Sequence, residues 1–341
     1  MTSHSTKTMP PLALTMGDPG GVGGEICVAA WRQFRQGGPA FFSLDDPARL
    51  RALGAEVAEI GNPAEAKDAF ESALPVVPLR ASIHSTPGIA SSENAPAVIE
   101  SIERAVAFSV EGAASGVVTN PIQKSSLIAA GFAFPGHTEF LGSLTDNAPM
   151  PNERLRGAVM MLAGPQLRTT PVTVHVSVKD AVKELRPDKI INCASIVSEA
   201  LTHDFGIARP RIAISGLNPH AGEAGALGEE DALIIAPAID TLQELGVDAV
   251  GPLPADTMFH EEARERYDAA ICMLHDQALI PAKTLAFHEA VNVTLGLPII
   301  RTSPDHGTAL DIAGTGAARP DSLIAAIKLA AEMAQRRRVN S

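Results

Sequence analysis

Cysteine, positive charge and long apolar runs are all scarce in this sequence, and each shortage argues against a class of protein. Cys27, Cys193 and Cys272 are the only cysteines in 341 residues. They are odd in number, far apart and without a Cys-x-x-Cys pair, which argues against a disulfide framework or a thiolate metal site and predicts buried, reduced thiols. Lys and Arg total 27 against 39 Asp and Glu, a net charge of −12. That sign argues against nucleic acid or an anionic membrane held through the overall field, so any anion has to be caught by a local cluster. Apolar runs are broken by Gly, Pro or charge before the roughly 20 residues that span a bilayer. The polar segment Met1–Pro10 lacks the apolar stretch of a secretory signal, so a cytoplasmic protein with a short disordered arm is expected. No internal repeat, low-complexity tract or clear linker occurs.

What is present is an α/β pattern, in a chain long enough for two domains or one large α/β unit. Short apolar runs predict strands at Leu12–Thr15, Phe41–Leu44, Val117–Thr119, Ala158–Leu162, Val172–Val176, Ile212–Ser215, Ala269–Leu274 and Val291–Thr294. Their hydrophobicity is continuous rather than alternating, as suits strands of a mainly parallel sheet buried on both faces. Apolar residues at three- and four-residue spacing predict helices at Glu25–Gln36, Ala97–Glu111, Ile190–Thr202, Glu229–Leu245 and Asp321–Arg337,.

Three histidines fall at equivalent places in this pattern. His175 is near the end of the run Val172–Val176, His220 is in the Gly-Asn-Pro-rich loop after Ile212–Ser215, and His275 directly follows Ala269–Leu274. Ligands of open parallel sheets bind at the carboxyl ends of strands, so these imidazoles are placed to converge. Neutral imidazole is the commonest metal ligand, and three of them leave a position open for substrate. Asp276, Gln277, Asn218 and Glu223 are of the type that orients such ligands through the second ring nitrogen. For each histidine, a hydrogen-bonded core residue is the alternative.

A second cluster suits an anion. Gly136-His137-Thr138-Glu139 opens a predicted helix and offers backbone N–H groups, an imidazole and a hydroxyl at its positive end, while Lys283, Asn292 and Arg301 recur further along,. Solvated surface charge is the alternative for each basic residue. Two glycine-rich stretches, Thr15–Glu25 and Asp305–Gly316, fit neither the G-x-G-x-x-G nor the P-loop pattern,. Close backbone approach to a nucleotide and plain tight-turn chemistry both stay open for them.

The segments GDPGGVGGE (Gly17–Glu25), GHTEFL (Gly136–Leu141), GLNPHAGE (Gly216–Glu223), GPLPADT (Gly251–Thr257), HDQ (His275–Gln277) and VNVTLGLPIIRTSPDHGTALDIAG (Val291–Gly314) closely resemble the 4-hydroxythreonine-4-phosphate dehydrogenase family of pyridoxal phosphate biosynthesis, over nearly the whole chain. The resemblance implies two α/β/α domains with a cleft between them, similar to isocitrate and isopropylmalate dehydrogenases. Residues 1–135 plus 300–341 would form the first domain, and 136–299 the second, with the metal site and dimer interface. It further implies a homodimer with its active site shared between subunits, NAD or NADP, and one divalent ion, Zn²⁺, Mg²⁺, Mn²⁺ or Co²⁺. By motif, the metal ligands are His175, His220 and His275, the third expected from the partner subunit, and the substrate-binding residues are His137, Thr138, Lys283, Asn292 and Arg301. The stretch holding His306, Gly307 and Ala309 looks like the family's cofactor loop. Asp256 is the candidate general base, with helix capping the alternative at that position,. Gly20 and Gly24 stand where the family commonly has Ala and Pro, and Ala278 where Gly is frequent.

The implied reaction is oxidation of 4-phosphohydroxy-L-threonine at C3 and decarboxylation to 3-amino-2-oxopropyl phosphate. Its alternatives are a dehydrogenase of a 4-phosphorylated sugar acid such as D-threonate or D-erythronate 4-phosphate, one acting on a carboxylated dihydrodiol, a three-histidine metal-dependent hydrolase or lyase, and a phosphometabolite-binding protein without catalysis.

Overall fold

A computed structural model describes residues 9–134 and 136–339 of the chain. The arm expected to be disordered lies, apart from Met9 and Pro10, outside the described residues. The class is α/β as expected, and the chain divides into two compact units, one reaching Ala148 and resuming over Ile299–Arg338, the other spanning Pro149–Pro298.

The first unit contains strands β1 (Leu12–Thr15), β2 (Phe41–Asp45), β3 (Val57–Glu59), β4 (Leu74–Pro78) and β5 (Val117–Val118). The second contains β6 (Val159–Ala163), β7 (Arg168–Pro171), β8 (Arg211–Ser215), β9 (Asp248–Leu253), β10 (Ala269–Cys272) and β11 (Val291–Leu295), after which β12 (Arg301–Pro304) returns to the first.

In the first unit the strands run parallel in the order β3-β4-β2-β1-β5-β12. Strands β1 and β2 are buried along their whole length, which is why they read as unbroken apolar runs,. Helix Gly23–Phe34 turns Ile26, Cys27, Ala30, Trp31 and Phe34 inward. Trp31 Nε1 donates to the Phe70 carbonyl at 2.9 Å, and Phe70 meets Phe41 edge to face, satisfying the indole's one donor inside the core. Helix His137–Thr145 belongs to this unit, held by the Phe132–Phe134–Phe140 ring cluster. By its contacts the unit runs to Ala148 and so includes this helix.

In the second unit the order is β11-β6-β7-β10-β8-β9. Strands β7, β10, β8 and β9 are parallel, whereas β6 is antiparallel to both of its neighbours. Tyr267, Met258, Cys272 and Leu279 pack in its core, and the Tyr267 hydroxyl donates to the Met258 carbonyl at 2.7 Å. All three cysteines are free and buried, as expected, and burial pushes each thiol up to about 12.

A bidentate pair ties this unit together. Arg154 Nη1 and Nη2 donate to the two Asp204 oxygens at 2.9 and 3.0 Å, with both side chains buried. Asp204→Ala leaves a buried guanidinium without its carboxylate, so an unfolding free energy lower by about 3–5 kcal/mol is expected, read from urea unfolding midpoints.

One predicted strand is corrected. The ladder runs over Arg168–Pro171, ahead of the predicted Val172–Val176. The paired residues Thr169 and Thr170 are polar yet fully buried, with Thr169 Oγ1 donating to the Ala278 carbonyl at 2.8 Å. The apolar run that followed them is the partly exposed approach to a pocket, with Val176 40 % exposed. Among the described residues no helix is long and apolar enough to cross a membrane.

Candidate active site

Beyond the carboxyl ends of β7 and β10, the second unit holds a cavity of about 660 Å³ lined by Thr173, His175, Asp256, His275, Asp276 and Gln277, with Val176, Phe259 and Ile280 among its apolar walls. The imidazoles of His175 and His275 face each other with ring centroids 5.8 Å apart. Two independent features place them. His175 has a positive φ of 54° shortly after the strand, in the left-handed region that few residues other than glycine enter. His275 is the first residue of helix His275–Ala286, and its Nδ1 lies 2.7 Å from Asp276 Oδ1. Gln277 ties that helix start down, accepting from the Leu274 N–H at 3.0 Å and donating to the Gly216 carbonyl at 3.1 Å. Ala278 follows within the same helix and is fully buried.

His220 is placed differently. It lies on the turn Pro219–Gly225 and is absent from the cavity lining. Among the described residues no three His, Cys, Asp or Glu side chains are spaced to hold an ion within one chain. Within one chain His175 and His275 therefore share a cavity that His220 does not line. Asp256 is exposed in the turn after β9 and caps no helix, since the N-cap of the next, Glu261–Arg264, is His260. Lys283, two turns beyond His275 on the same helix, lines a shallower hollow with His275, Asp276 and Phe287. Asn292 is half-buried in β11.

The first unit assembles the other cluster. Arg301, at the start of β12, is 3 % exposed and donates from Nη2 to Thr119 Oγ1 at 2.7 Å. Burial lowers its guanidinium to about 10, which still leaves it a cation at neutral pH. His137 opens helix His137–Thr145 behind an extended Gly136 that gives no side-chain cap, so the first-turn N–H groups have no capping oxygen from that residue,. The Nε2 of His137 is buried and has no hydrogen-bond partner among the described residues. A Cβ built on Gly136 would stand 3.3 Å from Lys124 Nζ, so glycine there lets the ammonium approach. Lys124 was missed in the sequence. The usable signal was its position soon after β5, at a strand's carboxyl end. His137, Thr138, Arg301 and Lys124 thus gather in one unit, whereas Lys283 and Asn292 belong to the other.

Burial first, and then Arg301 and Lys124, hold the His137 imidazole well below the ordinary histidine value,. The unfolded chain takes up a proton as pH falls below about 6.5 while the native imidazole does not, so stability is lost as pH drops from there toward the lower folded value. His137→Gln is expected to flatten that part of the curve, measured as urea midpoints at pH 7 and pH 5.

The glycine-rich stretches meet each other. The Val22 N–H donates to the Thr308 carbonyl at 3.0 Å, and the Gly314 N–H to Glu25 Oε2 at 3.3 Å. A cavity of about 520 Å³ opens beside them, lined by Pro19, Gly21, Glu25, Arg49, Ser85 and Gly314. Gly20 is required here, because a Cβ would collide with the Ile89 carbonyl. In the loop itself Ala309 has φ 47°, and His306 Nδ1 is bonded to the Gly307 carbonyl at 2.8 Å.

The family model for pyridoxal phosphate biosynthetic protein PdxA matches residues 43–330. A 4-hydroxythreonine-4-phosphate dehydrogenase from Caulobacter vibrioides is 54 % identical, over 97 % of this chain and 100 % of its own. The crystal structure of 4-hydroxythreonine-4-phosphate dehydrogenase from Klebsiella pneumoniae superposes with a TM-score of 0.85 at 37 % identity, covering 97 % of this chain and 100 % of that one. A terephthalate 1,2-cis-dihydrodiol dehydrogenase from Burkholderia xenovorans follows at TM-score 0.64 and 26 % identity, covering 95 % and 98 %. Fold and relatives together define an α/β oxidoreductase. The chain belongs to the pyridoxal phosphate biosynthetic protein PdxA family, as its motifs led us to expect.

Proposed function

We propose that the chain oxidises 4-phosphohydroxy-L-threonine at C3 with NAD or NADP and releases CO₂ to give 3-amino-2-oxopropyl phosphate, in the cytoplasm, as a homodimer whose subunits share the active site. The full-length likeness to dehydrogenases named for 4-hydroxythreonine-4-phosphate carries this reading.

The donor set in the second unit fits a divalent ion of the Zn²⁺, Mg²⁺, Mn²⁺ or Co²⁺ kind. Two imidazoles already face one cavity, and His275 is oriented by Asp276 through Nδ1, which leaves Nε2 as the electron-pair donor,. His175, His275 and His220 would hold the ion, with one of the three contributed across the dimer. When bound, it supplies a Lewis acid for negative charge developing on a hydroxyl or carbonyl oxygen. Asp256 would take the C3 hydroxyl proton, and a bound nicotinamide would supply the hydride acceptor. Decarboxylation of the β-keto acid then needs no further redox partner, because the electron pair of the broken C–C bond remains on the product carbon and is quenched by a proton.

Arg301, Lys124, His137, Thr138 and the open N-terminus of helix His137–Thr145 hold the phosphate. His137, uncharged, contributes a hydrogen bond while the two cations contribute the field. Lys283 and Asn292 complete the substrate contacts, and such grip on parts that do not react orients the C3 centre. His306, Gly307 and Ala309 with the adjoining glycine-rich turn hold the dinucleotide. The shared site is supported by the exposed apolar residues Ile280 and Phe287 beside the histidine cavity, at 63 % and 70 % exposure, a face that a second subunit would cover.

The test is NADH or NADPH formation with 4-phosphohydroxy-L-threonine beside the 4-phosphates of D-threonate and D-erythronate, with chelator and with metal added back. Chelator-sensitive reduction by the threonine compound is the expected result. Preference for a sugar acid keeps the chemistry and changes the substrate, and no reduction with any of them overturns the proposal.

A further inference from the structure

We propose that Asp231 is the positioning residue for His220, its buried carboxylate holding the turn that presents that imidazole. Five consecutive residues, His220, Ala221, Gly222, Glu223 and Ala224, have φ values of 53°, 50°, 79°, 43° and 57°. Only one of them is glycine. L-residues enter the left-handed region singly as a rule, because Cβ crowds the following carbonyl, so a run of this length needs support from outside itself.

Asp231 supplies that support. It is 2 % exposed. Its Oδ1 accepts from the Leu217 N–H at 2.8 Å, and its Oδ2 accepts from the Asn218 N–H at 3.1 Å and from Asn218 Nδ2 at 2.9 Å. Asn218 Nδ2 donates to Glu230 Oε2 as well, at 2.8 Å. Two glycines admit the carboxylate. A Cβ on Gly216 would stand 2.6 Å from Asp231 Oδ1, and one on Gly222 would stand 3.3 Å from Asp231 Cβ and Oδ2. The carboxylate therefore lies directly against the turn, between its entry at 216–218 and its middle at 222. Asp231 also begins the wide turn Asp231–Ile235, whose bonds skip five residues. Such turns are rare and frequent at functional sites.

This inference rests on the reading of His220 as an ion ligand, and the chemistry fixes the test. Asp231→Asn is isosteric, but it replaces one acceptor oxygen by an N–H₂ group facing N–H donors, so the clamp opens while the packing volume stays. Zinc affinity of the full-length protein is measured by competition with a chromophoric chelator for wild type, D231N, H220A and the double variant, with thermal melting of each in metal-free buffer.

D231N is expected to weaken zinc binding by about 10–100-fold, the scale on which groups that orient ligands act. The double variant is expected to bind as H220A alone does, since Asp231 acts through His220. Adding Ala221→Gly and Ala224→Gly to D231N is expected to restore most of the lost affinity, because glycine takes positive φ without the clamp. Full additivity of D231N and H220A, wild-type zinc binding by D231N, or no rescue by the glycines overturns the proposal. Wild-type binding by H220A removes the ligand assignment and this inference with it, whereas weak binding by H220A beside normal D231N overturns this inference alone. Should D231N fail to accumulate folded, Asn218→Ala removes the Nδ2 bonds to Asp231 and Glu230 while the two backbone N–H bonds stay; a smaller loss of zinc affinity that the same two glycines restore is expected, and wild-type binding overturns the proposal.

Discussion

Replacing His275 with alanine is expected to lower kcat/KM for 4-phosphohydroxy-L-threonine by about 10²–10³-fold, the usual consequence of losing preorganised stabilisation of a developing oxyanion. Three features of the second unit set the size of this effect. His275 faces His175 across the cavity, its Nδ1 is held by Asp276, and its helix start is fastened by Gln277. Asp276→Asn keeps the imidazole but changes its orienting partner, so a smaller loss of about 10–100-fold is expected there. Initial rates across a titration of added divalent metal distinguish the two variants: D276N recovers toward wild type as metal rises, and H275A does not. Wild-type kcat/KM in chelator-treated H275A would falsify the placement of the ion beside this residue.

Arg301→Met is expected to raise KM by about 10–100-fold while the native fold holds. A buried guanidinium donating to a phosphate forms charge-assisted hydrogen bonds worth roughly 1.5–3 kcal/mol each. The same substitution puts an apolar chain where a guanidinium sits at 3 % exposure and takes from Thr119 Oγ1 the donor it accepts from. Arg301→Lys is expected to rescue poorly, because one ammonium cannot keep the bond to Thr119 Oγ1 and also present a planar fork to the ligand,. Steady-state kinetics beside thermal melting separates the outcomes. A KM unchanged within twofold would take Arg301 out of the anion site, and a collapse in melting temperature would mark it as structural.

The sequence was most legible where one physical signal dominated. Strands β1, β2, β8 and β10 are buried on both faces and read as apolar runs that coincide with the ladders to within about two residues,. Strand β7 was misplaced because its paired residues Thr169 and Thr170 are polar yet buried, and the bond that satisfies Thr169 comes from Ala278 on another element rather than from neighbours in the chain. Strands β3 and β9 escaped because their burial is partial, and β12 because its buried residues Arg301, Thr302 and Ser303 are polar or charged and give no apolar run.

At the site, topology placed His175 and His275 at neighbouring strand ends, β7 beside β10, and the family motifs agreed. The left-handed run that carries His220 is not announced by composition, since four of its five residues carry a Cβ. Lys124 was overlooked because nothing local marks it. It becomes informative only once Gly136 and His137 are brought against it. The two glycine-rich stretches, nearly 300 residues apart along the chain, likewise acquire a shared meaning only in three dimensions.

The connectivity of the first unit also has a bearing on how the protein is made. Its sheet needs β12 beside β5, and its core needs the apolar side of helix Asp321–Val339, including Leu323, Ile327 and Ala330. The other unit has all of its strands within one stretch, Pro149–Pro298. During translation that stretch has every one of its strands outside the ribosome while the unit that started first still lacks a strand and its closing helix. Nascent β5, paired with β1 but still without β12, is then an open sheet edge that a chaperone would meet until β12 arrives,.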